Sequence, residues 1–195
     1  MALELRPAQP GDLPAIHSIY AHHVLHGLAS FEEEPPSVEE LGRRYRDVTG
    51  RGLPYLVAEY GMDIAGYGYC APYRPRSAYR YALEDSIYIR HDMTGRGVGK
   101  RLLEELIRRC EGLGYRQIIA VIGDSANQAS IGVHAACGFL RVGTLRSVGF
   151  KFGRWYAEGK LRPHVSQTLP LEKAVDALKL MAARQVTGKL VLTVS

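Results

Sequence analysis

The stretch TGRGVGKRLLEELIRRCEG, residues 94–112, constrains the fold more than any other part of the chain. Val98, Leu102, Leu103, Leu106, Ile107 and Cys110 recur at helical spacing and predict an amphipathic helix over 98–111. Directly ahead stand Gly95, Gly97 and Gly99. A glycine costs about 1 kcal/mol in a helix interior, so these three read as a loop that feeds the helix start. A loop without Cβ atoms lets backbone N–H groups come close to a ligand. The first helical turn adds N–H groups without intrahelical partners and a partial positive charge. Two readings follow, a tight strand-to-helix turn or a cradle for an anion, most naturally a phosphate. Short glycine patterns alone do not choose between them.

The flanking segments supply the context. LELRP reads as a first strand, and Asp12 as the cap of a helix of about a dozen residues with Pro14 in its first turn. Ser37 followed by Glu40 is a capping-box signature for a second helix to about Thr49. YLVAEY and DIAGYGYCA are strands joined at Gly61 and Met62, PYRPRSAY is an irregular loop, and RYALEDSIYIR is a strand leading into the glycine loop. Beyond the helix, RQIIAVI reads as a buried strand and NQASIGVHAAC as a helix ended by Gly138. FLRVGTLRSVGFKFGRW reads as strand with a glycine-rich bend. Strands and helices mixed in this order indicate an α+β domain, or a mixed α/β one. No acidic residue closes a strand about 20 residues after a Gly-x-Gly-x-x-Gly, so dinucleotide binding is not supported.

Bulk properties narrow the function classes. The 195 residues suit one domain, or one domain with an appendage, and 46% hydrophobic with 23% charged residues is the balance of a soluble protein. No apolar run approaches the roughly 20 residues needed to span a bilayer. MALELRPAQPGD lacks a cationic region followed by an apolar stretch, so no secretion signal is expected. Cys70, Cys110 and Cys137 are widely spaced and odd in number, which suggests reduced thiols in the cytoplasm rather than disulfides or a zinc site. The charge of +5 is scattered, and no basic helix with base-reading side chains stands out, so an anionic small ligand fits better than nucleic acid. His22 and His26 lie four apart with no third ligand in sight; a solvated helix face is the reading, and no metal is expected.

TGRGVGKRLL resembles the acetyl-CoA pyrophosphate loop of the GCN5-related N-acetyltransferases. NQASIGVHAACGF resembles that superfamily's next signature, with Asn127, Ser130, His134 and Gly138–Phe139 at matching intervals. PYRPRSAYRYALEDSIYI and VGFKFGRW narrow the likeness to the phosphinothricin and methionine sulfoximine acetyltransferase family, and SFEEEPPS is similar to its substrate-side loop. The resemblance spans about residues 3–155 and implies that superfamily's fold, a central mixed sheet flanked by helices.

The resemblance also implies a site. Acetyl-CoA would be co-substrate, with its pantetheine along Ile87, Tyr88 and Ile89 by main-chain hydrogen bonds, like an added strand. Its pyrophosphate would sit on N–H groups from Gly95, Arg96, Gly97, Val98, Gly99 and Lys100, with Asn127 also a cofactor position. Thr94 stands where the family usually has Gln or Arg, which implies somewhat weaker cofactor binding. An amine nucleophile is mostly protonated at pH 7 and needs a base; Glu84 stands at the family's general-base position. By alternation Glu84 shares a face with Ser86 and Tyr88 if no bulge intervenes. His134 matches the family's second catalytic residue and could orient Glu84, relay a proton or donate one to the departing thiolate. Arg74 and Arg80 could pair with a substrate carboxylate or phosphinate, or be solvated loop arginines, and Phe31 would close the pocket from the other side. The implied activity is direct acetyl transfer to the amino group of a small amino-acid-like substrate, by a homodimer that binds neither nucleic acid nor membrane. Acetylation of polyamines or protein N-termini, or silent acyl-CoA binding, are the alternatives.

The pattern breaks after KFGRW. The family continues into a final apolar strand, whereas residues 157–195 resemble the C-terminal end of medium-chain quinone reductases and alcohol dehydrogenases. The expected organisation is an acetyltransferase domain over 1–156 and an atypical tail over 157–195: a loop, a helix at about 171–184, and the strand GKLVLTV. Losing the family's last strand exposes a sheet edge, which GKLVLTV or KLRPHVSQT would have to cover.

Overall fold

The computed structural model describes residues 3–156 and the strands 165–170 and 189–193. The chain forms two compact units: residues 1–144 with 148–157, and residues 145–147 with 158–195.

In the first unit, β1 (Leu3–Pro7), β2 (Tyr55–Tyr60), β3 (Asp63–Pro72), β4 (Ala82–Ile89) and β5 (Gln117–Ala120) form one sheet in the order β1-β2-β3-β4-β5. The first four are antiparallel in sequence, and β5 returns parallel to β4. That return needs a crossover, which α3 (Val98–Gly112) supplies. The helices α1 (Leu13–His26) and α2 (Val38–Thr49) cover one face of the sheet and α3 the other.

The glycines of β3 show how the sequence separates the two faces. A Cβ at Gly68 would stand 3.1 Å from Leu106 of α3 and 3.2 Å from Ile87, and one at Gly66 would stand 2.7 Å from Ile89. The alternate residues Tyr67 and Tyr69 point the other way, where Tyr67 stacks on Tyr88 and Tyr88 meets Tyr20 of α1 edge-on. Small residues on one face thus admit α3, and aromatic residues on the other meet α1. Leu102, Leu103 and Leu106 of α3 are fully buried, and each such side chain contributes about 1.5–3 kcal/mol of transfer free energy.

Local chemistry at the helix starts follows expectation only in part. Ser37 Oγ accepts from the Glu40 N–H at 3.1 Å and starts α2. The reciprocal half of the capping box is missing because the Glu40 carboxylate is taken by Arg43 and Arg44. Asp12 does not cap α1 with its side chain. Its carboxylate instead accepts from the Gln9 N–H and from Arg6, closing the 3-10 turn Pro10–Asp12.

Two expectations for the later chain need correction. The RQIIAVI strand is only four residues long and partly exposed, because among the described residues it is the outer strand of the sheet and pairs with β4 alone. After α4 (Gln128–Ala136), residues 139–148 form no strand, and Leu140, Val142 and Leu145 are exposed. Strand appears only in the hairpin of β6 (Gly149–Lys151) and β7 (Arg154–Tyr156). Phe152 and Gly153 turn that hairpin with φ of 51° and 75°, the left-handed pair a two-residue hairpin loop demands. In the second unit, β8 (Val165–Pro170) and β9 (Lys189–Thr193) pair with each other in parallel. They form a two-stranded sheet of that unit. The helix expected at 171–184 lies outside the described residues.

Candidate active site

Strand β4 is the axis of the site. It pairs with β5 only over Ala82–Asp85. From Ser86 to Ile89 it continues along β3 with no strand on its other side among the described residues. The exposed edge thus includes Ile87, Tyr88 and Ile89, the positions implied for main-chain binding. One carbonyl there is engaged: His23 Nε2 of α1 lies 2.7 Å from the Ile89 oxygen, to which it donates.

The edge runs into the glycine loop. Gly95 and Gly97 have φ of 75° and 77°, and no atom lies within 4 Å of a Cβ built on either. An L-residue pays about 1–2 kcal/mol for that conformation, so glycine is required by the backbone. Gly97 is the N-cap of α3 and no side chain caps the helix, which leaves the first-turn N–H groups to a ligand. Val98 is buried and anchors the loop, whereas Arg96 and Lys100 are exposed around it. Gly99 belongs to the first turn of α3, not to the loop, and packs beside Ile89. Thr94 donates its hydroxyl to the His91 carbonyl at 3.2 Å. These features fit a phosphate-bearing group with its chain laid along β4.

On the α1 side, Glu84, Ser86 and Tyr88 share one face, since the β3–β4 register runs without a bulge. Glu84 is half-buried, and that burial pushes its carboxyl above the ordinary value; Asp85 adds to the rise and Arg74 opposes it. The Glu84 charge reaches Tyr69 on β3, which with Tyr20, Arg44, Tyr55 and Tyr67 among others lines a tyrosine-rich cavity. Tyr55 stacks on Tyr69 at 4.8 Å, and Arg44 is held by Glu32 at 2.6 Å. Glu32 belongs to the SFEEEPPS loop, which therefore does face this side.

Arg74 and Arg80 are exposed and lie over the rings of their neighbours Tyr73 and Tyr81 at 5.1 and 4.7 Å. Arg74 is near enough to influence Glu84. Phe31 is 41% exposed, packs against Tyr156 and occupies the space a Cβ at Gly149 would need. The hairpin carrying Gly149 also carries Lys151, which is 1% exposed. Its ammonium donates to the carbonyls of Val24, Gly27 and Ser30, tying the hairpin to the end of α1 and the loop before Phe31.

His134 is on α4 and does not meet Glu84. Its Nε2 lies 3.0 Å from Asp85 Oδ2, and Asp85 is the strand neighbour of Glu84, so its side chain leaves the opposite face. Of the roles the resemblance left open, orienting Glu84 is thereby excluded in this arrangement. Asn127 uses its carboxamide oxygen to cap α4, accepting from the Ser130 N–H at 3.0 Å, which commits that atom to the helix. Asp85, Lys151 and His23 were not anticipated. The visible signals were adjacent carboxylates in LEDS, which a strand must send to opposite faces, and one cation inside the apolar GFKFG. Among the described residues no group of three or more His, Cys, Asp or Glu is arranged to hold a metal ion, and no helix is long and apolar enough to cross a membrane.

Comparison with known proteins places this geometry. The Acetyltransferase (GNAT) family profile matches residues 16–139, and a Zinc-binding dehydrogenase profile matches residues 120–192. A phosphinothricin N-acetyltransferase of Alcaligenes faecalis is 58% identical over 154 residues, 79% of this chain and 78% of that protein. An L-methionine sulfoximine/L-methionine sulfone acetyltransferase of Pseudomonas aeruginosa is 36% identical over 156 residues, 80% of this chain and 90% of that protein. The crystal structure of a phosphinothricin acetyltransferase from Sinorhizobium meliloti in complex with AcCoA superposes with a TM-score of 0.77 at 46% identity, covering 80% of this chain and 84% of that one.

Proposed function

The chain belongs to the acetyltransferase (GNAT) family, and from that premise we propose that it transfers the acetyl group of acetyl-CoA to the amino group of a small amino-acid-like compound such as phosphinothricin or methionine sulfoximine. The observation that carries this reading is Glu84: a half-buried carboxylate, raised above its ordinary pKa, whose charge reaches Tyr69 of the tyrosine-lined cavity and which stands one residue pair before the open edge of β4. A raised carboxylate is a better base for an ammonium proton, because catalytic efficiency grows as the pKa nears the working pH. The relatives at 58% and 36% identity, with their named substrates, support the substrate class.

Acetyl-CoA supplies an activated acyl group. The chain's own residues do the rest. The open edge from Ser86 to Ile89 and the N–H groups at Gly95–Lys100 hold the cofactor, Glu84 takes the proton of the amine, and Arg74 and Arg80 offer guanidinium groups to a carboxylate or phosphinate. Those arginines favour an anionic amino-acid analogue over a polyamine. Three free cysteines support a reducing, cytoplasmic setting, and family likeness supports a homodimer. The dehydrogenase likeness of residues 120–192 supports a tail of reductase descent; the junction near Trp155–Ala157 rests on where the VGFKFGRW motif ends, and such a tail would not confer reductase chemistry.

Thiol release from acetyl-CoA, measured with phosphinothricin, methionine sulfoximine, a polyamine and a peptide, tests the reading. Release is expected with the first two, and Glu84→Gln should lower it about a hundredfold or more, the usual contribution of a general base. Turnover only with polyamine or peptide, or an unimpaired Glu84→Gln enzyme, would overturn it.

A further inference from the structure

Both ring nitrogens of His134 face acceptors. Nδ1 lies 2.7 Å from the Ser130 carbonyl oxygen and Nε2 lies 3.0 Å from Asp85 Oδ2. A carbonyl oxygen and a carboxylate oxygen accept hydrogen bonds and donate none. A neutral imidazole keeps one lone pair, and here that lone pair would point at an oxygen. The two shorter contacts are both satisfied when Nδ1 carries a proton and a further proton lies between Nε2 and Oδ2; a bare Nδ1 would give up the 2.7 Å carbonyl contact for the longer one, 3.4 Å, to the Ser130 hydroxyl. His134 is 9% exposed and Asp85 7%, so water does not offer either group an alternative partner at little cost.

The position of the pair is informative. Asp85 is the last β4 residue paired with β5, opposite Ala120, and the open edge begins at the next residue, Ser86. Asp85 Oδ1 is buried with no protein partner. An unsatisfied carboxylate oxygen in the interior is costly, so packing alone gives no reason for an aspartate here. The pairing with His134 does.

We propose that Asp85 is a positioning residue for acetyl transfer, holding His134 doubly protonated at the head of the open β4 edge as proton donor to the departing thiolate. The proposal rests on the acetyl-CoA reading above. When the carbon–sulfur bond breaks, sulfur keeps the electron pair and takes a proton from the imidazolium: the Nε2–H held by Asp85 Oδ2 in the resting site swings to sulfur, while Nδ1–H stays on the Ser130 carbonyl. The ammonium substrate gives up two protons over a cycle, so one restores the imidazolium and the other leaves to solvent through Glu84. Electrostatics supports the assignment: burial lowers the His134 pKa, but Asp85 and the Ser130 carbonyl outweigh it and leave it raised. The other titratable groups around the pair are the thiols of Cys70 on β3, Cys110 on α3 and Cys137 on α4, with Glu104 and Lys100 of α3 acting on Cys137. Glu84, on the far face, also feels Asp85, which raises it.

The test combines imidazole nitrogen NMR of the full chain without substrate and pH profiles of thiol release, for wild type, Asp85→Asn and Asp85→Glu. In wild type both His134 nitrogens should be protonated at pH 7 and stay so beyond the ordinary histidine value of about 6.5. In Asp85→Asn the ring should be neutral at pH 7, kcat should fall about tenfold or more at pH 8 with KM for acetyl-CoA nearly unchanged, and both limbs of the profile should move to lower pH. Asp85→Glu should restore part of the loss. A wild-type His134 with only one protonated nitrogen at pH 7, or an Asp85→Asn profile superposing on wild type, overturns the proposal. Should Asp85→Asn not fold, the wild-type spectrum decides. Absence of thiol release from wild type with every amine would instead overturn the acetyl-transfer reading, which separates the two failures.

Discussion

Replacing Lys151 with methionine removes an ammonium that donates to Val24, Gly27 and Ser30 at 2.7, 3.1 and 2.7 Å while keeping a long apolar stem. Val24 lies in the last turn of α1 and Gly27 is its C-cap, so the cation stands where helix carbonyls have no intrahelical partners. Hydrogen bonds to a charged group contribute about 1.5–3 kcal/mol each, so three supply a gross of about 5–9 kcal/mol, and the favourable helix-end charge adds about 0.3–1 kcal/mol. Against this stands the desolvation of the ammonium, several kcal/mol, a cost also visible in burial lowering the Lys151 pKa. The net loss in Lys151→Met is about 2–4 kcal/mol, the range typical of buried polar groups left unpaired. At about 2–4 °C per kcal/mol for a chain of this size, the melting temperature should fall by roughly 5–15 °C. Because Ser30 precedes Phe31 and Glu32, the amine KM should rise while KM for acetyl-CoA stays near wild type. Calorimetry and steady-state kinetics read both. A melting temperature within about 2 °C of wild type, or a rise confined to the acetyl-CoA KM, would refute the reasoning.

Gly97→Ala places a Cβ on a backbone with φ of 77°; strain should cost about 1–2 kcal/mol in chemical denaturation, and acetyl-CoA affinity by calorimetry should drop more than stability does. Phe152→Asn suits the left-handed first turn position of the β6–β7 hairpin better than phenylalanine does, and should raise stability by about 0.5–1 kcal/mol after loss of the Lys151 contact with the ring. Arg74→Gln removes a charge that lowers the Glu84 pKa, so the acid limb of kcat/KM should move to higher pH. The His134–Asp85 pair has a pH signature in stability as well. A histidine raised in the folded state stabilises fully below its unfolded pKa, and the contribution fades as pH rises through the folded value. Wild type minus Asp85→Asn stability should therefore shrink on going from neutral to alkaline pH.

Much of the fold was legible because its causes are local. Helical spacing from Val98 to Cys110, Gly95 and Gly97 ahead of it, Ser37 before α2 and the turn at Gly61 act within a few residues of themselves and appear where the pattern puts them, whereas Gly99 falls inside α3. Asp12 was misread because its carboxylate had a better offer from Arg6 than from its own helix. Residues 139–148 were misread because strand-like composition makes no strand without a neighbour to bond it, and among the described residues the sheet ends at β5.

For the site, the sequence by itself determined the glycines at 95 and 97, the helix start behind them and the alternation that puts Glu84, Ser86 and Tyr88 on one face. These are consequences of backbone stereochemistry and of strand periodicity. Only the tertiary structure decided that β5 leaves β4 after Asp85, opening the edge at Ser86. It alone paired Asp85 with His134 across 49 residues, and Lys151 with Val24 across 127. Such contacts depend on which strand ends where and which helix packs over it, and a buried charge takes whichever partner that packing brings within hydrogen-bonding distance.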